Sequence, residues 1–187
     1  MAVVNIPSQG KSLTDRREIT EYLAGINIAY ERWDADEMRV SPDATEEEIL
    51  AAYAPEIEQL KASGGYVTAD VINIVPTMPN LDVMLNKFNK EHWHDEDEVR
   101  FIVKGHGLFH IAPEGGGDVV SIEMEAGDLI RVPRGTMHWF NLCGDKTVRA
   151  IRLFQDLSGW APYYSESGVD IDYQPLCFGT DYIPMNQ

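Results

Sequence analysis

The stretch EHWHDEDEVRF, residues 91–101, places two histidines among five carboxylates. A solvated acidic surface would account for residues 95–97, but not for two imidazoles with a tryptophan between them. Alternate residues of a β-strand point to the same face, provided that the strand runs without a bulge. On that basis four side chains share one face: His92, His94, Glu98 and Arg100. Two imidazoles, a carboxylate and a guanidinium on one face predict a cation site.

A further ligand is His138, which lies in a later β-type segment just after the turn Pro133-Arg-Gly135. Three imidazoles and one carboxylate form a donor set that suits Fe²⁺, Ni²⁺, Mn²⁺, Co²⁺ or Zn²⁺. An octahedral ion held by this set would keep open positions, so that an anionic substrate could chelate it. Arg100, on the same face as the ligands, would favour such an anion.

Other residues near this set have simpler interpretations. A lone histidine in a strand is usually packed or at the surface, and His106, between two glycines, is expected in an exposed turn. The even-numbered position of His110 would point its side chain inwards, so this residue is a reserve ligand. Residues 95–97 are expected on a solvated face, although Asp97 sits beside the site. Four side chains are candidates either for the core or for the wall of a substrate pocket: Phe88, Phe140, Trp160 and Arg152.

Composition restricts the classes of partner. The chain has 187 residues, 44% of them hydrophobic and 25% charged, which is typical of one globular domain. Its formal net charge of −16 disfavours nucleic acids and anionic membranes as partners. The sequence shows neither the pattern of a signal peptide nor an apolar run of roughly 20 residues that could cross a membrane. We therefore expect a cytoplasmic protein, monomeric by default, with Cys143 and Cys177 as reduced thiols.

The hydrophobic pattern changes at about residue 90. Upstream, the sequence predicts a mixture of helices and strands. The predicted helices begin after Ser12-Leu-Thr-Asp15, at the capping box Thr45-Glu-Glu-Glu48, and at Asn80, which caps a short one; Pro55 is expected to kink the second. The predicted strands cover 28–33 and 70–76. Downstream, short β-type runs recur between turn signals, at 99–104, 108–111, 119–124, 128–133, 137–142 and 148–154. This spacing favours an antiparallel sandwich or small barrel.

Two spacings resemble the two motifs of the cupin superfamily. His92-x-His94-x₃-Glu98-x₆-Gly105 resembles the first, with Asn86 where a glycine is usual. Gly127-x₅-Pro133-x-Gly135-x₂-His138 resembles the second, with Asn141 one position early. The resemblance implies a mainly β fold, a cupin-type antiparallel β-barrel (double-stranded β-helix) with several α-helices in the N-terminal half. It also implies one domain over residues 1–187, made of a helix-rich part (1–90), a metal-binding barrel core (91–158) and a wrapping tail (159–187).

Three segments, FNKEHWHDEDEVRFIVKGHGLFHI, DLIRVPRGTMHWF and AIRLFQDLSGW, are similar to those of the acireductone dioxygenase family. The similarity runs from about residue 19 to 165. It implies an enzyme of methionine salvage that cleaves 1,2-dihydroxy-5-(methylthio)pent-1-en-3-one with O₂. It further implies one Fe²⁺ or Ni²⁺ per chain. The Fe²⁺ form would give 4-methylthio-2-oxobutanoate and formate, and the Ni²⁺ form would give 3-methylthiopropanoate, formate and carbon monoxide.

The same resemblance assigns roles to individual residues. The metal ligands carry over to His92, His94, Glu98 and His138. Arg100 matches the catalytic group that generates or holds the substrate dianion. Glu91 and Asp97 match supporting positions, in metal incorporation and in relaying local conformational change.

Two other functional classes stay open from the sequence. Another metal-dependent cupin enzyme, such as an isomerase or a different dioxygenase, would keep the metal but need a different pocket. A non-catalytic cupin, either a ligand sensor or a structural protein, often lacks one or more metal ligands, whereas this sequence has all of them.

Overall fold

The computed structural model describes residues 1–33, 39–157 and 159–177. It is built mainly from antiparallel strands, with α-helices confined to the N-terminal half. The strands are β1 (Val3–Ile6), β2 (Lys11–Leu13), β3 (Ala29–Arg32), β4 (Thr68–Ile74), β5 (His92–Trp93), β6 (Glu98–Ala112), β7 (Val120–Glu125), β8 (Asp128–Val132), β9 (Met137–Leu142), β10 (Val148–Phe154) and β11 (Tyr163–Tyr164). The helices are α1 (Arg16–Gly25), α2 (Glu46–Ala52), α3 (Ala54–Gly64) and α4 (Leu81–Leu85).

The strands form two sheets that share β6. The first sheet has the order β11-β5-β9-β6-β7-β1-β2, and the second has the order β3-β8-β6-β10-β4. Every strand pair is antiparallel, as the recurring short runs predicted. The apolar inner faces of both sheets enclose one hydrophobic core, which includes Ile102, Phe109, Ile111, Ile130 and Phe140. The predicted mainly β, cupin-type architecture is confirmed.

The first half of β6 separates a polar face from an apolar one. Val99 and Phe101 face outwards and pack under α2 and α3, where the ring of Phe101 lies 4.9 Å from that of Tyr53. The even-numbered residues Glu98 and Arg100 therefore point to the opposite side, into the space between the sheets. The alternation read from the sequence is thus present in this strand.

β6 is one strand of 15 residues, whereas the sequence predicted two strands separated by a turn at Gly105. The strand passes through that glycine with φ of 78°, and its pairing with β10 shifts register between Arg149 and Ala150. A Cβ atom at Gly105 would lie 2.0 Å from the carbonyl oxygen of Thr147. A glycine is needed here because the strand bends from one sheet into the other, so the turn signal marked a bend and not an end.

The helices follow the sequence pattern, with differences at their ends. The capping box of α2 is present, with Thr45 bonding to the backbone of Glu48 and the reverse. Pro55 does not kink one helix: it begins a second, in the first turn of α3, where its missing N–H costs nothing. Asp15 caps α1. None of the described helices is long and apolar enough to cross a membrane.

Two expectations near the N-terminal half were wrong. Asn80 makes no side-chain capping bond to α4, because its backbone is left-handed, with φ of 57°. Ser12 does not cap α1; it lies in β2, where its hydroxyl donates to the side chain of Asn5. No pattern in the sequence predicted β1 and β2; β1 pairs with β7, more than a hundred residues away along the chain, and β2 pairs with β1.

The cysteines are not reduced thiols in this structure. Cys143, directly after β9, forms a disulfide with Cys177 in the tail, with the two Cα atoms 5.6 Å apart. The tail returns across the outer face of the first sheet, where Tyr173 contacts the rings of His110 and Trp139. The spacing of the two cysteines could not reveal this return, because it depends on the path of the tail. Residues 178–187 of the predicted wrapping tail lie outside the described residues.

We predict that Gly105→Ala lowers the free energy of unfolding by about 3 kcal/mol or more, since it adds a clash with Thr147 to an unfavourable φ. Gly116→Ala is the matched control, because Gly116 has a φ of 82° and open space around it. This control should lose only about 1 kcal/mol. Denaturant-induced unfolding measures both, and equal losses would contradict the role of the close approach.

Candidate metal centre

Four side chains from three strands and one connection converge between the sheets. His92 lies on β5, His94 in the connection that follows, Glu98 at the start of β6 and His138 on β9, and all four are buried. Their potential ligand atoms lie within 4.8 Å of one another. His92 and His138 are direct neighbours across the β5–β9 pair. The strand ends after Trp93. His92, His94 and Glu98 therefore converge because the connection between β5 and β6 folds back, and not because they lie on one unbroken strand.

Each imidazole is oriented by a backbone carbonyl. Nδ1 of His92 lies 2.6 Å from the carbonyl oxygen of Lys90, and Nδ1 of His138 lies 2.8 Å from that of Thr136. Nδ1 of His94 lies 2.8 Å from the carbonyl oxygen of Ala161. Since a carbonyl oxygen only accepts, each Nδ1 carries the proton and donates it. Each Nε2 therefore faces the centre, the position from which metal-bound histidines coordinate.

Glu98 lies at the middle of the cluster. Its Oε2 is 3.2 Å from Nε2 of His94 and 3.1 Å from Nε2 of His138. Its Oε1 is 2.8 Å from the Arg100 guanidinium. Burial alone would raise the pKa of this carboxyl, but Arg100 and the two imidazoles hold that pKa well below its ordinary value. The carboxylate is thus ionised and ready to bind a cation.

The electrostatics of the histidines also suit a cation. Burial, with His138 close by, lowers the pKa of His92 to about 4, so this imidazole is neutral. Its Nε2 is buried and makes no hydrogen bond within the described residues. Burial would likewise lower the pKa of His94, but the adjacent Glu98 carboxylate outweighs it and leaves that pKa raised. A buried lone pair without a donor, beside an ionised carboxylate, fits a divalent cation held by three nitrogens and one oxygen.

Arg100 forms the cationic side of the site. Its side chain is buried, and its guanidinium lies 4.2 Å from the ring centroid of Phe140 and 5.8 Å from that of Trp160. Its Nε has no hydrogen-bond partner within the described residues. Burial lowers the pKa of Arg100, although the Glu98 carboxylate opposes that effect. A buried guanidinium with an unused donor is suited to bind an anion beside the metal.

A cavity of about 470 Å³ adjoins the centre. Phe88 and Trp160 line it and also contact metal ligands, with ring centroids 6.0 Å from His92 and His94 respectively. Arg152 lines it too, held by Asp70 through two hydrogen bonds of 2.8 and 2.6 Å. Three of the four predicted pocket residues thus stand at this cavity, whereas Phe140 packs beneath Arg100 in the core.

Around the ligands, the carboxylates have distinct environments. Glu91 accepts hydrogen bonds from the hydroxyls of Ser165 and Ser167 in the tail. Asp97 accepts from the Tyr66 hydroxyl and the Arg134 backbone, at 3.2 and 3.1 Å. Both stand next to a ligand in the chain.

One expectation about this acidic run was wrong. Asp95 is exposed, but Glu96 is buried, and its carboxylate accepts from the backbone N–H groups of Gln155 and Asp156 at the end of β10. The Glu96 carboxylate thereby holds the backbone where β10 leads into the tail.

The remaining two histidines, His106 and His110, lie away from the centre. His106 is on β6 and not in a turn; its half-exposed side chain lies 3.2 Å from Asp145. His110 points to the opposite face from His138, because its strand neighbour is Trp139, on which it stacks with ring centroids 4.8 Å apart. It is therefore not a ligand. Sequence reasoning also missed the tail residues that contact the ligands, since no local pattern marks them.

Antiparallel sheets with three histidines and a glutamate converging between them define a cupin metalloprotein. The family model described as ARD/ARD' matches residues 7–162, and the chain belongs to this family. The acireductone dioxygenase of Picosynechococcus sp. is 41% identical over 166 residues, covering 89% of this chain and 93% of the relative. That of Exiguobacterium sibiricum is 38% identical over 177 residues, covering 91% and 98%.

A solved structure agrees with the described fold. It is an acireductone dioxygenase from Bacillus anthracis with a cadmium ion in its active centre. The TM-score is 0.82 at 38% sequence identity, with 88% of this chain and 98% of the other covered.

We predict that His138→Gln abolishes retention of a divalent metal through dialysis, because the loss of a direct ligand should exceed the roughly 10- to 100-fold cost of losing an outer partner. His110→Gln is the matched control and should keep the wild-type metal content. Elemental analysis of both proteins measures this. Equal loss in both variants would contradict the assignment.

His110 generates a prediction about acid sensitivity. Burial lowers the pKa of His110 to about 4. Between pH 6.5 and 4, this imidazole is therefore mostly protonated in the unfolded chain and mostly neutral in the folded chain. Stability is therefore lost as the pH falls through this window, by about 2 kcal/mol at pH 5. We expect His110→Phe to reduce the difference in unfolding free energy between pH 7 and pH 5 by this amount, in metal-free protein. An unchanged difference between pH 7 and pH 5 in His110→Phe would contradict this assignment.

Proposed function

We propose that this chain is an acireductone dioxygenase, which cleaves 1,2-dihydroxy-5-(methylthio)pent-1-en-3-one with O₂ in methionine salvage. One observation carries the proposal: the buried Arg100 guanidinium, with an unused donor, stands between the four-ligand cluster and an aromatic cavity. A substrate that is an anion at one end and apolar at the other matches this arrangement. Membership of the family supports the same reaction.

We infer that one Fe²⁺ or Ni²⁺ per chain is held by His92, His94, Glu98 and His138. When bound, the ion supplies positive charge for the enediolate and a template for substrate and oxygen. The proposed products are 4-methylthio-2-oxobutanoate and formate with iron, and 3-methylthiopropanoate, formate and carbon monoxide with nickel. The same donor set serves either ion, so availability decides which is loaded.

The protein residues have binding and orienting roles in this proposal. Arg100 holds the substrate as an anion, and the rings beneath it fix the direction of its guanidinium. Phe88 and Trp160 enclose the methylthio tail and exclude water, while Arg152, clamped by Asp70, closes the far wall. Because an enediolate can reduce O₂ directly, orientation and exclusion of water are the main contributions that the chain must make.

Supporting roles follow for the carboxylates beside the ligands. We propose that Glu91 assists metal incorporation, because it is the neighbour of His92 and is held by two tail serines. We propose that Asp97 relays local changes, since it joins Tyr66 to the turn that precedes His138. Phe140 supports Arg100 from below.

We also propose the wider setting of the enzyme. Residues 1–187 form one domain, with a helix-rich part over 1–90, the metal-binding core over 91–158 and a wrapping tail over 159–187. It acts as a cytoplasmic monomer on a small substrate and O₂, without nucleic-acid or membrane partners. The net charge of −16 supports the absence of polyanionic partners.

The first experiment is elemental analysis of protein purified without added metal, followed by anaerobic addition of the acireductone and then of O₂. We expect about one iron or nickel per chain, loss of the substrate's ultraviolet absorbance and release of formate. Carbon monoxide should appear with nickel only. A protein that takes up either metal but consumes no oxygen would retain the cupin site and lose the proposed reaction.

Arg100→Gln tests the proposed anion-binding role in the same assay. The variant should keep its metal and lose at least about 100-fold in kcat/KM, the usual cost of removing a group that stabilises developing charge. Arg17→Gln is the control, because Arg17 is exposed on α1 and pairs only with Glu21 among the contacts described for it. Turnover of Arg100→Gln at the control rate would contradict the role.

A further inference from the structure

We propose that the Cys143–Cys177 disulfide is a redox latch that holds the C-terminal tail, residues 159–177, against the metal centre and thereby controls how firmly the metal is retained. The proposal rests on the metal site of the proposed function, but not on the reaction that the site catalyses. It assigns a role to a disulfide that the proposed chemistry does not use.

The position of the bond connects the tail to a ligand strand. Cys143 is buried and directly follows β9, the strand that carries His138. Cys177 lies 34 residues further along the chain, at the far end of the described tail. The covalent bond thus closes a loop that begins and ends at the first sheet and contains β10 and every tail contact with the centre.

Within this loop, the tail contacts the histidine ligands directly. The carbonyl oxygen of Ala161 accepts from Nδ1 of His94, and the Trp160 ring stacks against the same imidazole, 6.0 Å between centroids. Tyr164 pairs with His92 in the β11–β5 ladder. The tail therefore fixes the tautomer of one ligand and the backbone of another, and such outer partners are worth about 10- to 100-fold in metal affinity.

A second set of contacts fixes the residue before His92. The hydroxyls of Ser165 and Ser167 both donate to the Glu91 carboxylate, and the Ser165 backbone donates to the Glu91 carbonyl at 3.2 Å. Tyr164 adds a hydrogen bond from its hydroxyl to the carbonyl of Lys87 at 3.0 Å. These bonds connect the approach to β5 with the tail.

Burial of apolar surface contributes little to holding the tail. Among residues 161–177, all of them described, none is buried, and Ile171 is 81% exposed. Tyr173 contacts the His110 and Trp139 rings at centroid distances of 6.1 and 5.8 Å. A segment with so little burial depends on its hydrogen bonds, and the disulfide, by closing the loop, favours the conformation in which those bonds form.

The switching step is thiol–disulfide exchange with a dithiol. The dithiol gives two electrons and two protons, the Cys143–Cys177 sulfur–sulfur bond breaks into two thiols, and the dithiol becomes a disulfide. The reverse exchange closes the latch. A disulfide that opens and closes in this way is also the kind that a reducing compartment permits.

The test uses full-length protein loaded with one Ni²⁺ per chain, prepared oxidised or reduced with a phosphine that is then removed without air. Transfer of nickel to an excess of a chromogenic chelator measures retention without turnover. We expect release from reduced wild type to be about 10- to 100-fold faster than from oxidised wild type. Cys177→Ser should release nickel at the fast rate under both conditions.

Two controls separate the latch from general loosening. Ser165→Ala with Ser167→Ala should speed release from oxidised protein, because the disulfide then holds a tail that no longer bonds Glu91. Gly116→Ala, on a remote surface turn, should leave both rates unchanged. Equal release from oxidised and reduced wild type, with the bond verified by thiol titration, would overturn the latch and leave the metal site intact. Failure to bind nickel at all would overturn both.

Discussion

One strand, β6, has to belong to two sheets, and the metal centre depends on how it does so. Ile111 near its end is the register partner of His138, whose Nε2 lies 3.1 Å from Glu98 at its beginning. A straight strand would separate Glu98 from Ile111 by about 43 Å. The strand therefore curves back on itself, and Gly105 with the adjacent register shift supplies the bend. Without that curvature the carboxylate and the third imidazole could not meet.

The centre places an ionised pair and three imidazoles inside an apolar core. Glu98 and Arg100 are both buried, and the strength of their pairing offsets only part of the cost of removing two charges from water. The buried Nε2 of His92 adds a lone pair without a donor within the described residues. A divalent cation satisfies this lone pair and the carboxylate together, so its binding free energy also contributes to the stability of the fold.

The local patterns predicted most of the fold and the ligands, because both depend on alternation and spacing. The even-numbered positions of residues 92–100 and the turn before His138 were enough to nominate the cluster that the structure brings together. Alternation predicted the wrong face for His110, because the even-numbered side chains of β6 point inwards before the bend and outwards after it. It also assumed an unbroken strand between His92 and Glu98.

Contacts between distant segments could not be predicted, since no local signal encodes them. The disulfide, the serines that bond Glu91 and the carbonyl that orients His94 all belong to a tail without regular hydrophobic periodicity. The same holds for β1, whose partner β7 lies more than a hundred residues further along the chain.

That pairing pattern has a consequence for the order of events during synthesis. β1, β3 and β4 from the first half of the chain pair with β7, β8 and β10 from the second half. Among the described strands, β3 and β4 thus have no partner, and β1 has only β2, until the ribosome has made residues well beyond the middle of the sequence. Loop closure over such separations is slow, so the half-made chain would leave unpaired strand edges in solution. The helices between them and the β1–β2 pair, with their local bonds, can form early; the metal centre is among the last parts of this molecule to exist.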